Sequence, residues 1–161
     1  MHLTTFADLG LRTLMILGDL DEGQRMTISD LATSINASAN HVAKVNARLV
    51  ELGWVTAVRG RNGGVYLADG TRQASVGKIL RQLEGPGEVV DCEGGAPCPL
   101  VYRGCALRHR LADAREAFFA ELDGDTIGDL IAKTPPAGSG GKETLRPLGL
   151  PHVPGRSSAT A

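Results

Sequence analysis

Three cysteines fall within fourteen residues, Cys92-x5-Cys98-x6-Cys105, and the chain has no others. Gly94, Gly95, Pro97, Pro99 and Gly104 lie among them, so the segment reads as an irregular loop able to wrap its sulfurs around a soft metal centre. Three unrelated buried thiols are the weaker reading, because free cysteines prefer apolar core positions and this loop is poor in core residues. An iron–sulfur cluster needs a fourth ligand, here oxygen or nitrogen, and Asp8, Asp91, Glu93 and His109 are the candidates. Zinc competes: Cys105-x3-His109 puts an imidazole one helical turn from a thiolate, and with Cys92 and Cys98 would close the tetrahedral site of a zinc-stabilised interaction module. As a nucleophile and base, Cys105 and His109 have no oxyanion-hole motif or acid-poised pocket nearby, so no enzyme is expected. An odd number of cysteines confined to one loop argues against a secreted disulfide framework and for a reducing cytoplasm. Residues 1–8 lack the basic and apolar regions of a signal peptide, and no run approaches the roughly 18 apolar residues that span a bilayer.

A second chemistry is carried by charge. The whole chain has 17 Lys and Arg against 18 Asp and Glu, a net charge of −1, which advertises neither a nucleic-acid partner nor disorder. Between residues 38 and 66, however, Lys44, Arg48, Arg59 and Arg61 face only Glu51, a local balance of +3. Asn40, Ala43, Lys44 and Ala47 lie opposite an apolar stripe, where small residues let a helix sink into a major groove while Asn40 and Lys44 reach base edges or phosphates. Ser38, His41 and Arg48 flank that face. Taken singly, each of these polar residues reads as ordinary solvated surface. Their combination with a basic hairpin tip, Arg59-Gly60-Arg61-Asn62-Gly63-Gly64, shifts the reading to DNA, the tip suiting a minor groove or a phosphate rail. Gly63 and Gly64 are expected to supply the positive φ of the reversal.

The elements that must position these groups are legible in the periodicity. Phe6, Leu9, Leu14 and Leu17 repeat at helical spacing before a polar loop bracketed by Gly18 and Gly23. Thr27-Ile28-Ser29-Asp30 reads as a capping box opening a short second helix that turns Leu31 and Ile35 inward. Ser38 caps a third, with Val42, Val45, Leu49 and Leu52 on one face and Gly53 as its stop. Two short helices joined by a tight turn form a helix-turn-helix, and the extended runs 55–58 and 65–68 around the glycine-rich turn add a wing. Trp54, at the junction, reads as core packing. Ser75 caps a helix carrying Val76, Ile79, Leu80 and Leu83, which ends at Gly85-Pro86. After the cysteine loop, Leu107, Leu111, Ala114, Phe118 and Leu122 hold an apolar stripe along a helix that is long for so small a chain. A last short helix, 126–133, opens with a second capping box, Thr126-x-x-Asp129. With 161 residues, 42% of them hydrophobic, one compact domain is expected. It divides into a winged helix-turn-helix DNA-binding region over 1–70 and the cysteine loop with dimerisation helices over 71–134. Residues 135–161 hold five Pro and five Gly and are expected to be a disordered tail.

The chain resembles the nitric-oxide-sensing branch of the NsrR/IscR family of winged-helix iron–sulfur repressors from residue 1 to about 133. The carriers are Leu3-Thr4-x-Phe6-x-Asp8-x-Gly10-Leu11-Arg12, Asn40-His41-x-x-Lys44-Val45, the wing from Val55 to Gly64, and the three cysteines between the last two long helices. The resemblance implies a mainly α fold with a small β-hairpin and a homodimeric transcription factor on a palindromic operator in double-stranded DNA. It implies one iron–sulfur cluster per subunit, held by Cys92, Cys98 and Cys105. It also points to an N-terminal carboxylate as the remaining ligand, which selects Asp8; a 4Fe–4S cluster is preferred over 2Fe–2S. The expected function is repression relieved when nitric oxide dismantles the cluster. A redox- or cluster-status-sensing regulator of the same family, or the zinc module, is the alternative. The expected DNA contacts are Thr27, Ser29, Ser38, Asn40, His41, Lys44, Arg48, Arg59, Gly60, Arg61, Asn62, Gly63 and Gly64.

Overall fold

The computed structural model describes residues 2–94 and 98–135. Apart from Pro135, the expected tail lies outside the described residues, as do Gly95 and Pro97 of the cysteine loop. Among the described residues, six α-helices and one hairpin follow in the order α1 (Thr5–Gly18), α2 (Ile28–Ser34), α3 (Ala39–Glu51), β1 (Val55–Val58), β2 (Gly64–Leu67), α4 (Val76–Glu84), α5 (Ala106–Glu121) and α6 (Ile127–Lys133). The mainly helical fold with a small hairpin is as the sequence leads one to expect.

Helix starts are set by side-chain oxygens that accept orphan amides. Thr4, Thr27, Ser38, Ser75 and Thr126 each take the backbone N–H three residues on. Thr126 and Asp129 complete a reciprocal capping box. Thr27 and Asp30 complete half of one: the Asp30 carboxylate accepts the Thr27 hydroxyl at 2.7 Å instead of reaching back to the backbone. The turn between α2 and α3 places Asn36 at φ 52°, a left-handed conformation that asparagine tolerates better than most residues.

Helix α1 is the hub. Its Ala7, Leu9, Leu14 and Leu17 are buried with Leu31 and Ile35 of the α2 segment, Val42, Val45 and Leu49 of α3, Val76, Ile79 and Leu80 of α4, and Ile127 of α6. Two glycines permit the close crossings. A methyl group on Gly10 would stand 2.6 Å from Leu83 Cδ1, and one on Gly18 would stand 2.5 Å from Ile131 Cδ1. Glycine weakens a helix interior by about 0.5–1 kcal/mol, a loss at Gly10 that is offset by packing α4 directly onto α1, while Gly18 closes the last turn against α6.

The hairpin pairs antiparallel from Val55↔Leu67 to Val58↔Gly64. A two-stranded ribbon is marginal alone. This one buries Val55 and Val65 and is braced by Met26, which exchanges backbone hydrogen bonds of 3.0 and 2.8 Å with Val65. The second strand begins at Gly64, one residue earlier than its hydrophobic pattern suggests. The conformation of the turn meets expectation in part. Gly64 has the expected positive φ, at 158°, whereas Gly63 has none and Gly60 carries a positive φ of 115° instead. Gly63 is needed for space, since a side chain there would stand 2.5 Å from the Val58 carbonyl oxygen and 2.8 Å from that of Gly60. Trp54 is partly buried against the core, and its indole N–H donates to Gln82 Oε1 at 2.8 Å.

Candidate metal centre and DNA-facing surface

The cysteine loop leaves the C-terminus of α4 and returns at the head of α5, where Cys105 is the N-cap residue. All three thiols are free and half-buried. The Cys98 N–H donates to the Cys92 carbonyl at 3.0 Å, folding that limb of the loop on itself. Burial pushes the Cys92 thiol up, and the neighbouring Cys98 and Cys105 push it the same way while Arg108 opposes them. Among the described residues, no three His, Cys, Asp or Glu side chains converge into a closed coordination set.

The four non-cysteine candidates are placed very differently. Asp91 Oδ1 accepts the Gly94 N–H at 2.7 Å and the Glu93 N–H at 3.3 Å, so it caps the loop backbone. Glu93 is paired with Arg108 at 2.8 Å. His109 is exposed on the first turn of α5. Asp8 sits on the first turn of α1, half-exposed and paired with Arg12 at 2.9 Å. An exposed pair of this kind is weak, about 0.3–0.5 kcal/mol for an i,i+4 helix pair, and is readily exchanged for a stronger ligand. In donor chemistry, three soft thiols in one loop suit an iron–sulfur cluster, although they do not converge into a preformed set among the described residues.

The helix-turn-helix presents the expected face. Val42, Val45 and Leu49 are buried, which leaves Asn40, His41, Ala43, Lys44 and Ala47 exposed along α3. Ser38 is committed to capping, accepting the His41 N–H at 3.2 Å. Arg48 is drawn aside into a 2.7 Å pair with Glu51. Thr27 and Ser29 are exposed at the head of α2, and Arg59, Gly60, Arg61 and Asn62 are exposed at the wing tip, with Gly63 and Gly64 half-buried behind them. Periodicity could not reveal Arg25. Its guanidinium donates to the Asn62 carbonyl at 3.4 Å and lies 5.8 Å from the centre of the Tyr66 ring, tethering the wing to the entry of α2. Its only sequence signal is a cation just before a helix cap.

The stripe on α5 is mostly uncovered: Leu107 is 63% exposed and Phe118 38%. Phe119, one position away, is the buried residue of this helix, packed toward α4 under the guanidinium groups of Arg81 and Arg115. Arg81 also pairs with Glu116 at 2.6 Å and Asp123 at 2.7 Å, fastening α4 to α5 and the turn after it. No helix among the described residues is long and apolar enough to cross a membrane.

The profile of the Rrf2 family, described as an iron-dependent transcriptional regulator, matches residues 3–133. The HTH-type transcriptional repressor NsrR of Streptomyces coelicolor is 49% identical over 134 residues, covering 82% of this chain and 89% of that protein. Among solved structures, CymR, the global cysteine regulator of B. subtilis, is similar with a TM-score of 0.63 and 25% identity over 84% of this chain and 99% of its own. The fold is also that of T. potens IscR, with a TM-score of 0.63 and 20% identity over 84% of this chain and 93% of the other.

Proposed function

The chain belongs to the Rrf2 family of transcriptional regulators, and from that premise we propose that it is a homodimeric, cytoplasmic repressor that senses nitric oxide through an iron–sulfur cluster. The observation that carries this reading is the position of the cysteine loop between α4, which shares a core with α1 and α3, and α5, whose apolar stripe is left uncovered. Cys92, Cys98 and Cys105 would hold one cluster per subunit, 4Fe–4S in preference to 2Fe–2S. Asp8, a harder donor than thiolate, would complete the set from its own or the partner subunit. When bound, the cluster supplies iron atoms at which nitric oxide reacts.

The chain's own residues do the rest. Residues 1–70 read DNA: Asn40 and Lys44 reach bases and phosphates in the major groove, with Thr27, Ser29, Ser38, His41 and Arg48 around them. Arg59, Arg61 and Asn62 follow the adjacent minor groove or backbone. Residues 71–134 set the geometry, with Leu107, Leu111, Ala114 and Phe118 packing against the same residues of a second copy. Such a two-fold axis matches a palindromic operator. This division is functional, since Val76, Ile79, Leu80 and Leu83 belong to the same core as α1. Cysteines that share a ligand fix the loop between reading head and dimer axis, and cysteines set free release it.

Native mass spectrometry of anaerobically purified protein, with iron and sulfide assays on the same sample, tests the reading. A dimer with iron and sulfide matching one cluster per subunit, operator binding lost on addition of nitric oxide, and both properties lost in Cys98→Ala are the expected results. Full operator affinity in Cys98→Ala without metal refutes the mechanism. Binding indifferent to nitric oxide yet sensitive to oxidants makes the chain a redox regulator, and one zinc per chain moves His109 into the site.

A further inference from the structure

Among the described residues, the cysteine loop contributes none to the buried core, so something else must set the distance between its two limbs. Arg108 stands at that place. It lies on the first turn of α5, three residues after Cys105, and its side chain is 28% exposed, against 43% for Glu88 and 70% for Glu93. Its Nε donates to both Glu88 carboxylate oxygens, at 3.0 and 2.7 Å, and its Nη2 donates to Glu88 as well and to Glu93 Oε1 at 2.8 Å. Glu88 precedes Cys92 by one short stretch of chain, and Glu93 follows it directly. The guanidinium therefore brackets Cys92 from both sides while rooted beside Cys105. Among the described residues, these are the hydrogen bonds that join the 86–94 segment to α5, with Arg115 holding the Gly85 carbonyl just before it; the segment's remaining hydrogen bonds, from the Glu93 and Gly94 N–H groups to Asp91 and from Cys98 to Cys92, lie inside the loop.

We propose that Arg108 is the positioning residue of the cysteine site: by clasping Glu88 and Glu93 it holds the Cys92 limb against the first turn of α5 and fixes the reach from Cys92 to Cys105 before any cluster is bound. The inference rests on the reading that the cysteines form one site. The side chain has to be arginine, because a planar fork engages one carboxylate through two donors and still has an N–H for a second, whereas a lysine ammonium is a point charge with no fixed orientation. A rigid clasp raises the effective concentration of one thiol at the other, the quantity on which assembly of a multi-thiolate site depends.

The test uses reduced, metal-free, full-length protein in a Cys98→Ser background, which leaves Cys92 and Cys105 as its cysteines. Dibromobimane fluoresces when it bridges two thiols, and monobromobimane reports single alkylation. The ratio of bridging to single-alkylation rates reads spacing with exposure and thiolate content divided out. Arg108→Gln is expected to lower that ratio by about threefold or more, with Arg108→Lys recovering less than half of the loss. Glu88→Gln combined with Glu93→Gln removes the same pairs without altering α5, and is expected to match Arg108→Gln. An unchanged ratio in either variant overturns the proposal, as does the absence of bridging in the Cys98→Ser parent. Iron and sulfide in the wild-type protein are decided separately: a chain without iron whose bridging depends on Arg108 refutes the cluster reading and leaves the clasp standing.

Discussion

Replacing Phe119 with alanine isolates the joint between the core around α1 and α4 and the long helix α5. Phe119 is fully buried, while Leu107 and Phe118 of the same helix are exposed, so most of the apolar anchorage of α5 on its own chain passes through one ring. Truncating a buried Phe to Ala costs about 3–5 kcal/mol through lost transfer energy and the cavity left behind. The guanidinium carbons of Arg115 and Arg81 lie 4.8 and 5.5 Å from the ring centre, and each such contact adds about 0.5–1 kcal/mol at a partly exposed site. The expected loss is therefore about 4–7 kcal/mol, a large part of the roughly 5–15 kcal/mol that stabilises a typical domain. Phe119→Leu keeps most of the apolar volume but loses both cation–π contacts, and is expected to cost about 1–3 kcal/mol. Urea unfolding followed by far-ultraviolet circular dichroism measures both, at one fixed subunit concentration because association contributes to apparent stability. An alanine variant that loses less than about 2 kcal/mol, or a leucine variant that loses as much as alanine, would refute the claim that this ring is the anchor.

Three further outcomes follow from the same contacts. Gly77 is buried where α4 meets α5, and a methyl group there would overlap the Phe119 carbonyl oxygen and the Asp123 carboxylate, so Gly77→Ala is expected to destabilise by about 1–3 kcal/mol in the same unfolding assay. The hydrogen bonds from Arg81 hold the Glu116 and Asp123 carboxyls below their ordinary values of 4.5 and 3.8. A carboxyl whose value is lower in the folded state contributes stability that is complete above its unfolded value and is lost as pH falls through the folded one. The unfolding midpoint is thus expected to decline as pH drops below about 4, with a shallower decline in Arg81→Gln, and an identical pH profile in that variant would remove the pairs from the account. At the wing tip, Arg59→Ala is expected to reduce the slope of log affinity against log salt by about 0.9 if Arg59 neutralises one phosphate, as read by fluorescence anisotropy on operator DNA. An unaltered slope returns Arg59 to ordinary surface.

Much of this architecture is local and therefore legible in the chain itself. Caps at Thr27, Ser38, Ser75 and Thr126, the stripe Val42/Val45/Leu49, and a glycine-rich turn between two extended runs each encode an element through contacts a few residues apart. The chemistry of the cysteine loop was legible for the same reason, since soft donors concentrated between glycines and prolines announce themselves without a fold. Which glycines reverse the wing was legible only in part, since Gly64 was expected there and Gly60 was not. Gly60 and Gly63 differ in whether φ or free volume is needed, and that depends on the Val58 carbonyl across the turn.

Tertiary structure alone decided the long-range partners of the charged groups. Arg81 with Glu116 and Asp123, and Arg108 with Glu88 and Glu93, are set by how helices cross and how the loop returns, whereas Arg12 with Asp8 and Arg48 with Glu51 are neighbours one turn apart on a single helix. It also decided that Phe119 turns inward while Phe118 and Leu107 stay outside. An apolar stripe fixes one face of a helix, but whether that face meets its own chain or a second copy depends on the neighbour that arrives there. Periodicity is a property of the segment, whereas burial and charge pairing belong to the assembled surfaces.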